Sequence, residues 1–222
     1  MTTATEFQPI LAFLDGLRLN NSKAWVDEHR ADYEAARDAF ARFVSDLIDE
    51  RRAPDQLHGL TAKQCIFRLN RDIRFSKDKS PYNTTVSALI APGGRKSTTQ
   101  GYYIAIGPRG QSMVAGGLYS PTSAQLGRFR EAIAADATPF KQVTSAAAFV
   151  ATFGEVEGSR LKTAPRGYNR DHPEIALLRL KQVIAARRFS DQDVLAADFG
   201  VQVRSAMAAI RPFLRYLDGI QQ

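Results

Sequence analysis

The sequence predicts an α+β fold, in which an antiparallel sheet of about four strands packs with N-terminal and C-terminal helices. Apolar residues near both ends of the chain recur every three or four positions, the spacing that places them on one face of a helix. Residues 61–121 instead hold short apolar segments of strand composition. The connections between these segments are too short for parallel crossovers, which favours antiparallel neighbours.

Composition indicates one folded domain. The chain has 222 residues, of which 44% are hydrophobic and 24% are charged, and a chain of this size buries a sizeable core. We expect a single domain over residues 1–222. It would have a helical N-terminal part at 1–60, an antiparallel sheet at 61–121 and a helical C-terminal part at 122–222.

Several classes of protein are disfavoured. The single cysteine, Cys65, allows no intramolecular disulfide and lies in an apolar run. No apolar run approaches the ~20 residues of a membrane span, and the N-terminus lacks a signal-peptide pattern. Three scattered histidines and the lack of a P-loop predict neither a metal site nor a cofactor. We therefore expect a soluble, cytoplasmic protein that does not associate with membranes.

The N-terminal pattern predicts two helices. The first would be capped by Thr5, and its apolar stripe consists of Phe7, Ile10, Leu11, Leu14 and Leu17. The second would run from about residue 23 to residue 51, with Ser22 as its cap. Its stripe is Trp25, His29, Tyr33, Ala36, Phe40, Phe43 and Leu47.

The middle of the chain predicts four strands. They are expected at residues 65–69, 84–91, 101–107 and 112–119. Pro92-Gly93-Gly94 and Pro108-Arg109-Gly110 are typical of turns. The paired glycines Gly116 and Gly117 indicate a bulge or a close backbone approach within the last strand.

The remaining residues predict helices again. Thr122 would cap one, and a second would run over 138–154. A third would begin at Asp171 with Pro173 in its first turn. A short helix after Ser190 and a final one over about 201–217 complete the pattern.

Charge is distributed unevenly along the chain. Residues 1–60 carry 7 lysines and arginines against 11 acids, whereas residues 61–222 carry 23 against 12. The second part therefore has a net charge of +11, which makes an anionic partner plausible. Phosphorylated or carboxylated small molecules, nucleic acid and acidic surfaces all meet this description.

The first basic segment, residues 68–82, connects two predicted strands. Arginine forks bind carboxylate and phosphate, and a nearby lysine adds a point charge. The acids in the segment would orient these bases, and Asp78 is also a candidate general base. The candidate ligand-binding residues here are Arg68, Arg71, Asp72, Arg74, Lys77, Asp78, Lys79 and Tyr82.

The run Arg-Asp-Ile-Arg-Phe-Ser-Lys-Asp-Lys-Ser-Pro-Tyr at 71–82 resembles the hallmark of an uncharacterised family, domain of unknown function twenty-four sixty-one. Residues 20–33, 116–121 and 165–173 are similar to it as well, so the resemblance covers nearly the whole chain. Val26, where an aromatic is expected, and Asn83, where lysine is usual, depart from the pattern. The resemblance implies no activity.

The second basic segment, residues 160–172, is shaped by Pro165 and Gly167. Its candidate ligand-binding residues are Arg166, Tyr168, Asp171 and His172. The imidazole of His172 can exchange a proton near neutral pH, which makes it a second candidate catalytic residue. The alternative is a turn residue bonded to the backbone.

Three hypotheses about function remain open. The first is a pocket that binds, or acts on, an anionic small molecule and is formed by the two basic segments together. The second is a structural ion-pair network in a protein-interaction module. The third is a nucleic-acid-binding module, which would use the net positive charge and tyrosines as stacking surfaces: Tyr82, Tyr102, Tyr103, Tyr119 and Tyr168.

Overall fold

The computed structural model describes residues 4–221 and the side chains of residues 6–221. The N-terminal helices are α1 (Ala4–Leu19), α2 (Lys23–Glu28) and α3 (Arg30–Arg51). The predicted cap at Thr5 concerns a side chain outside the described ones. Ser22 caps α2 as predicted, because its Oγ accepts a hydrogen bond from the Trp25 N–H at 3.3 Å.

The prediction of one helix over 23–51 was wrong, because the helix is interrupted at His29. This residue has φ −101° and ψ 34°, outside the helical region. Its Nδ1 lies 2.9 Å from the Trp25 carbonyl, and its ring stacks on Trp25 at 4.0 Å. The predicted stripe continues in α3, where Ala36, Phe40, Phe43 and Leu47 are buried.

The strand predicted at 65–69 was also wrong. A Thr61–Gln64 capping box begins a single helical turn there, α4 (Ala62–Cys65). The residues after it are extended, but they make only isolated bridges, Ile66 to Ala88 and Asn70 to Tyr82. The alternation of apolar residues did not distinguish an irregular segment with isolated bridges from a strand that pairs along its whole length.

The sheet has four antiparallel strands, which confirms the predicted α+β class. They are β1 (Val86–Ile90), β2 (Tyr102–Ile106), β3 (Ser112–Leu118) and β4 (Val183–Phe189), in that order across the sheet. Strands β1 and β2 pair with Ala88 opposite Ile104. Three of the four strands were predicted, and β4, which lies in the part expected to be helical, was not.

The later helices are α5 (Ser123–Ala135), α6 (Thr138–Thr144), α7 (Ala147–Phe153), α8 (Ile175–Leu178), α9 (Asp191–Leu195) and α10 (Phe199–Gly219). Thr122 and Ser190 cap α5 and α9 as predicted. The single helix expected over 138–154 is two helices, α6 and α7. The Thr144 hydroxyl bonds back to the Phe140 carbonyl at 2.9 Å, and Ala146 is extended.

The helix predicted to begin at Asp171 begins four residues later, at Ile175. Asn169 forms an Asx turn, in which its Oδ1 accepts a hydrogen bond from the Asp171 N–H at 3.0 Å. Asp171 is therefore a turn residue and not a helix cap.

The chain forms two compact units. The first comprises Met1–Val114 and Arg188–Ser205, and the second comprises Ala115–Arg187 and Ala206–Gln222. A single domain over residues 1–222 stays a prediction. No helix within residues 4–221 has the length and hydropathy needed to cross a bilayer.

Each unit has its own aromatic core. In the first, the ring of Phe7 lies 4.9 Å from the rings of both Phe43 and Phe199, edge to face. In the second, Phe140 lies 5.4 Å from Phe129 and 6.2 Å from Phe213. Edge-to-face pairs contribute about 0.5–1.5 kcal/mol beyond the burial of their area.

Candidate functional site

The first basic segment and its flanking residues form two arms, 67–71 and 81–87, which are joined by a loop. Main-chain hydrogen bonds connect the arms, from Phe67 N–H to Ser87 carbonyl at 2.9 Å and from Asn83 N–H to Leu69 carbonyl at 2.8 Å. The last of these bonds runs from Arg71 N–H to the Pro81 carbonyl at 2.8 Å. Residues 72–80 form the loop beyond it.

Ion pairs within the loop engage most of its charges. The Arg74 guanidinium donates two hydrogen bonds to the Asp72 carboxylate, at 2.9 and 2.6 Å. Arg71 donates to Asp78 and, at 3.2 Å, to the Ser80 carbonyl. The Lys79 ammonium donates to the Ile73 carbonyl at 3.0 Å. Arg71, Arg74 and Lys79 are therefore occupied in shaping the loop.

Asp78 is held as a carboxylate. The hydroxyl and the N–H of Ser80 both donate to its Oδ1, at 2.7 and 2.9 Å. These bonds, together with the pair to Arg71, hold the pKa of the Asp78 carboxyl far below its usual range. A general base works best with a pKa near the working pH, so this geometry favours a structural role. A catalytic role for Asp78 stays a prediction.

Two basic side chains of the segment are not occupied in this way. Arg68 and Lys77 are exposed, and neither side chain has a hydrogen bond or ion pair with any of residues 6–221. Arg68 lies close enough to Asp72 that its charge helps the Arg74 hydrogen bonds to lower the pKa of that carboxyl. The Arg68 guanidinium is therefore a donor without a fixed acceptor.

Arg68 faces a cavity of about 560 Å³ in the first unit, here called the polar cavity. Three predicted site residues line it, Arg68, Arg71 and Asp72. The other lining residues are Phe67, Asn70, Asn83, Thr85, Ser87 and Tyr103. Amide and hydroxyl groups thus accompany the guanidinium groups, a set that suits a carboxylate or a phosphate.

A second cavity of the first unit, of about 500 Å³, is here called the apolar cavity. Helices α1 and α3, residues 66–69 and strand β1 form its walls. Its apolar and aromatic lining residues are Phe13, Tyr33, Ala36, Phe40, Ala41, Ile66, Phe67, Leu69 and Val86. Its charged lining residues are all basic: Arg37, Lys63, Arg68 and Arg95.

The turn after β1 places Arg95 in the apolar cavity. Gly94 has φ +62°, and a Cβ there would lie 2.5 Å from the Gln64 carbonyl oxygen. This close approach brings Arg95 to the end of α4, where its Nη1 donates to the carbonyls of Lys63 (2.7 Å) and Ile66. Cations are favoured at the C-terminal ends of helices.

The second basic segment lies in the second unit. Arg166 is exposed and has no side-chain hydrogen bond or ion pair within residues 6–221. Tyr168 is half-buried, and burial raises the pKa of its hydroxyl. Asp171 is exposed and makes a loose ion pair with Arg170 at 3.8 Å.

His172 is bonded to the backbone. Its Nδ1 accepts a hydrogen bond from the Glu174 N–H at 3.0 Å, so the proton of a neutral imidazole lies on Nε2. This confirms the alternative of a turn residue. The proton-transfer role of His172 stays a prediction.

The predicted site residues thus fall into three groups. Arg68, Arg71 and Asp72 line the polar cavity. The rest of the first segment forms the second group, in which every residue except Lys77 shapes or anchors the loop. The second group consists of Arg74, Lys77, Asp78, Lys79 and Tyr82, and the third, in the second unit, of Arg166, Tyr168, Asp171 and His172. A single pocket formed by both segments stays a prediction.

Several cavity residues were not predicted from the sequence. Lys63 and Arg95 flank the apolar cavity, and Asn83, Ser87 and Tyr103 complete the polar one. A basic residue directly after a Gly-Gly turn is a signal that would have drawn attention to Arg95. Within residues 4–221, no three histidine, cysteine or acidic side chains are grouped as a metal site.

Of the proposed stacking tyrosines, Tyr102 is buried and only 4% exposed, whereas Tyr119 is 72% exposed. Tyr82, Tyr103 and Tyr168 are half-buried. A nucleic-acid interface stays a prediction.

Together, these features define an α+β protein with a basic loop and two adjoining cavities in its first unit. The family described as conserved hypothetical protein (DUF2461) matches residues 9–216, and the chain belongs to this family. Comparison with curated proteins and with solved structures gave no match.

Proposed function

We propose that this protein binds a small anionic molecule, phosphorylated or carboxylated, in the polar cavity. The observation that supports the proposal is the Arg68 guanidinium, which lines the cavity and has no acceptor among the described side chains and main-chain groups. An arginine fork is a bidentate donor for carboxylate and phosphate oxygens. An anion there would supply the acceptor that Arg68 lacks.

The neighbours of Arg68 suit the same ligand. Ser87 and Tyr103 add hydroxyl donors, and Asn70 adds an amide. The carboxylate of Asp72 also lines the cavity, but two hydrogen bonds from Arg74 offset its charge. The positive charge of Arg68 is therefore not cancelled within the cavity.

A thermal-shift screen tests this proposal. The panel contains inorganic phosphate, sugar phosphates, nucleotides and dicarboxylates, each at two salt concentrations. A ligand at a hundred times its Kd stabilises the folded state by about 2.7 kcal/mol, a shift that is easily measured. Loss of a charged hydrogen bond costs about 1.5–3 kcal/mol, so Arg68→Ala should weaken binding at least tenfold.

The matched control is Arg42→Ala. Arg42 is an exposed arginine of α3, and it lines neither cavity. The Arg42→Ala substitution removes the same charge as Arg68→Ala. It should change the affinity for the anion by no more than about twofold, because salt screens charges that lie outside the cavity. Equal losses in both variants, or no shift with any anion, would contradict the proposal.

The loop favours a second candidate, a protein-interaction module. Its ion pairs hold Phe75 at the surface, where the side chain is 95% exposed and the Arg74 guanidinium lies 5.9 Å from the ring centre. A partner that covered this ring would bury apolar surface now exposed to water, as aromatic anchors do at protein interfaces. A photo-crosslinker at position 75, compared with one at exposed position 99, tests it in cells. Equal labelling from both positions would reject this candidate.

A further inference from the structure

We infer that the ligand is amphipathic, with its anionic head at Arg68 and an apolar body in the apolar cavity. This inference rests on the proposed function and adds the class of ligand. It follows from the position of two residues, Phe67 and Arg68, which line both cavities.

The two cavities are adjacent because the consecutive residues Phe67 and Arg68 contribute to the lining of both. Phe67 is 40% exposed, a high value for a phenylalanine, and its ring lies 6.4 Å from that of Tyr103. A ligand that passes from one cavity to the other would cover this ring. The Arg68 guanidinium would then lie at the boundary between the polar and the apolar part of the ligand.

The apolar cavity has the chemistry of a binding site. Its floor includes Phe40 and Leu69, which are buried in the protein core. A volume of about 500 Å³ lies within the ~300–1,000 Å³ typical of small-molecule pockets. Tyr33, Ala41 and Val86 are half-buried, and a ligand in the cavity would remove more of their apolar surface from water.

Charge selects the kind of apolar ligand. Among residues 6–221, four basic side chains and no acidic one line the apolar cavity. Arg37 pairs with Asp38 at 2.9 Å. Lys63, Arg68 and Arg95 have no ion pair with any of residues 6–221, although Arg95 bonds to backbone carbonyls. A carboxylate or phosphate monoester with an alkyl or aryl body fits both properties, and a cationic amphiphile does not.

A chain-length series measures this inference directly. Straight-chain carboxylates from acetate to decanoate are titrated calorimetrically below their micelle concentrations, beside the matching alkyl phosphates. Each methylene that enters the apolar cavity should tighten Kd about fourfold. Comparison of the carboxylate series with the phosphate series shows which anionic head group the site prefers.

Two variants test whether the apolar body of the ligand binds in the apolar cavity. Ala41→Leu fills part of the cavity from α3 and should weaken decanoate while leaving acetate unchanged. Its control is Ala35→Leu, at an exposed position of the same helix. Should Ala41→Leu fail to fold, Val86→Ala removes part of the apolar wall instead, at a residue that lines only the apolar cavity, and should likewise weaken only the longer ligands.

The outcomes separate this inference from the proposed function. If acetate or phosphate binds through Arg68 but affinity does not rise with chain length, the inference is overturned and the proposed function stands. If decanol binds as tightly as decanoate and Arg68→Ala has no effect, the anionic head is overturned and both fail. Both also fail if no member of either series binds.

Discussion

The side-chain amide of Asn21 bonds to both main-chain groups of Tyr82. Its Nδ2 donates to the Tyr82 carbonyl at 3.0 Å, and its Oδ1 accepts from the Tyr82 N–H at 3.1 Å. The amide thereby imitates a neighbouring strand and fixes the second arm of the basic segment to the connection between α1 and α2. An element 61 residues away in sequence thus positions the candidate site.

The first prediction concerns this anchor. Asn21→Ala should lower the free energy of unfolding by about 1–3 kcal/mol, because it leaves two partly buried main-chain groups without partners. Denaturant unfolding measures the change. Asn20→Ala, which loses one exposed bond to the Gly16 carbonyl, is the control and should cost less. Equal costs would contradict the anchor.

Gly117 in β3 provides the second prediction. It has φ +116°, and a Cβ there would lie 2.2 Å from the Val183 carbonyl oxygen. Gly117→Ala should therefore destabilise the protein by more than about 2 kcal/mol, through both strain and the close contact with β4. Gly127, within α5, has nothing near its Cβ position, so Gly127→Ala should instead stabilise by about 0.5–1 kcal/mol. A higher melting temperature for Gly117→Ala than for Gly127→Ala would contradict this prediction.

The third prediction concerns acid stability. Because the pKa of Asp78 is lower in the folded than in the unfolded protein, its contribution to stability is present above the unfolded value of about 3.9 and is lost as pH falls below it. Asp78→Asn should therefore flatten the decline of the melting temperature in that acid range. Asp46→Asn, at an exposed position of α3 without an ion pair in the described chain, should leave the decline unchanged.

Cys65 allows a fourth prediction. The thiol is fully buried, and burial raises its pKa to about 11. A thiol reagent at pH 8 should therefore react far more slowly with the folded protein than with the denatured one. If the thiol of the native protein reacted as fast as that of the denatured protein, Cys65 at the end of α4 would be accessible to solvent, which would contradict this prediction.

Local signals predicted much of the fold. Ser22, Thr122 and Ser190 each begin a helix with a side-chain cap, and three strands lie where turn residues bound apolar runs. Strand β4 was missed because its Ala-Ala-Arg-Arg centre also suits a helix. Its status as a strand depends on pairing with distant residues, which a local pattern does not contain.

The candidate site was predictable only in part. Arg68, Arg71 and Asp72 stood out through charge and spacing. The apolar cavity depends on Phe13 from α1 and Ala36 from α3, residues whose patterns predict ordinary core. Packing between elements that are distant in sequence leaves a cavity between these residues, and a local sequence pattern does not indicate such a cavity.

The measurement that tests the central claim most directly is a nuclear magnetic resonance titration of the arginine side chains. With the anion that gives the largest thermal shift, the Nε–H signal of Arg68, assigned by its loss in Arg68→Lys, should move saturably while that of Arg42 stays in place. A ligand that stabilises the protein without moving the Arg68 signal would place the anion elsewhere and contradict the proposed site.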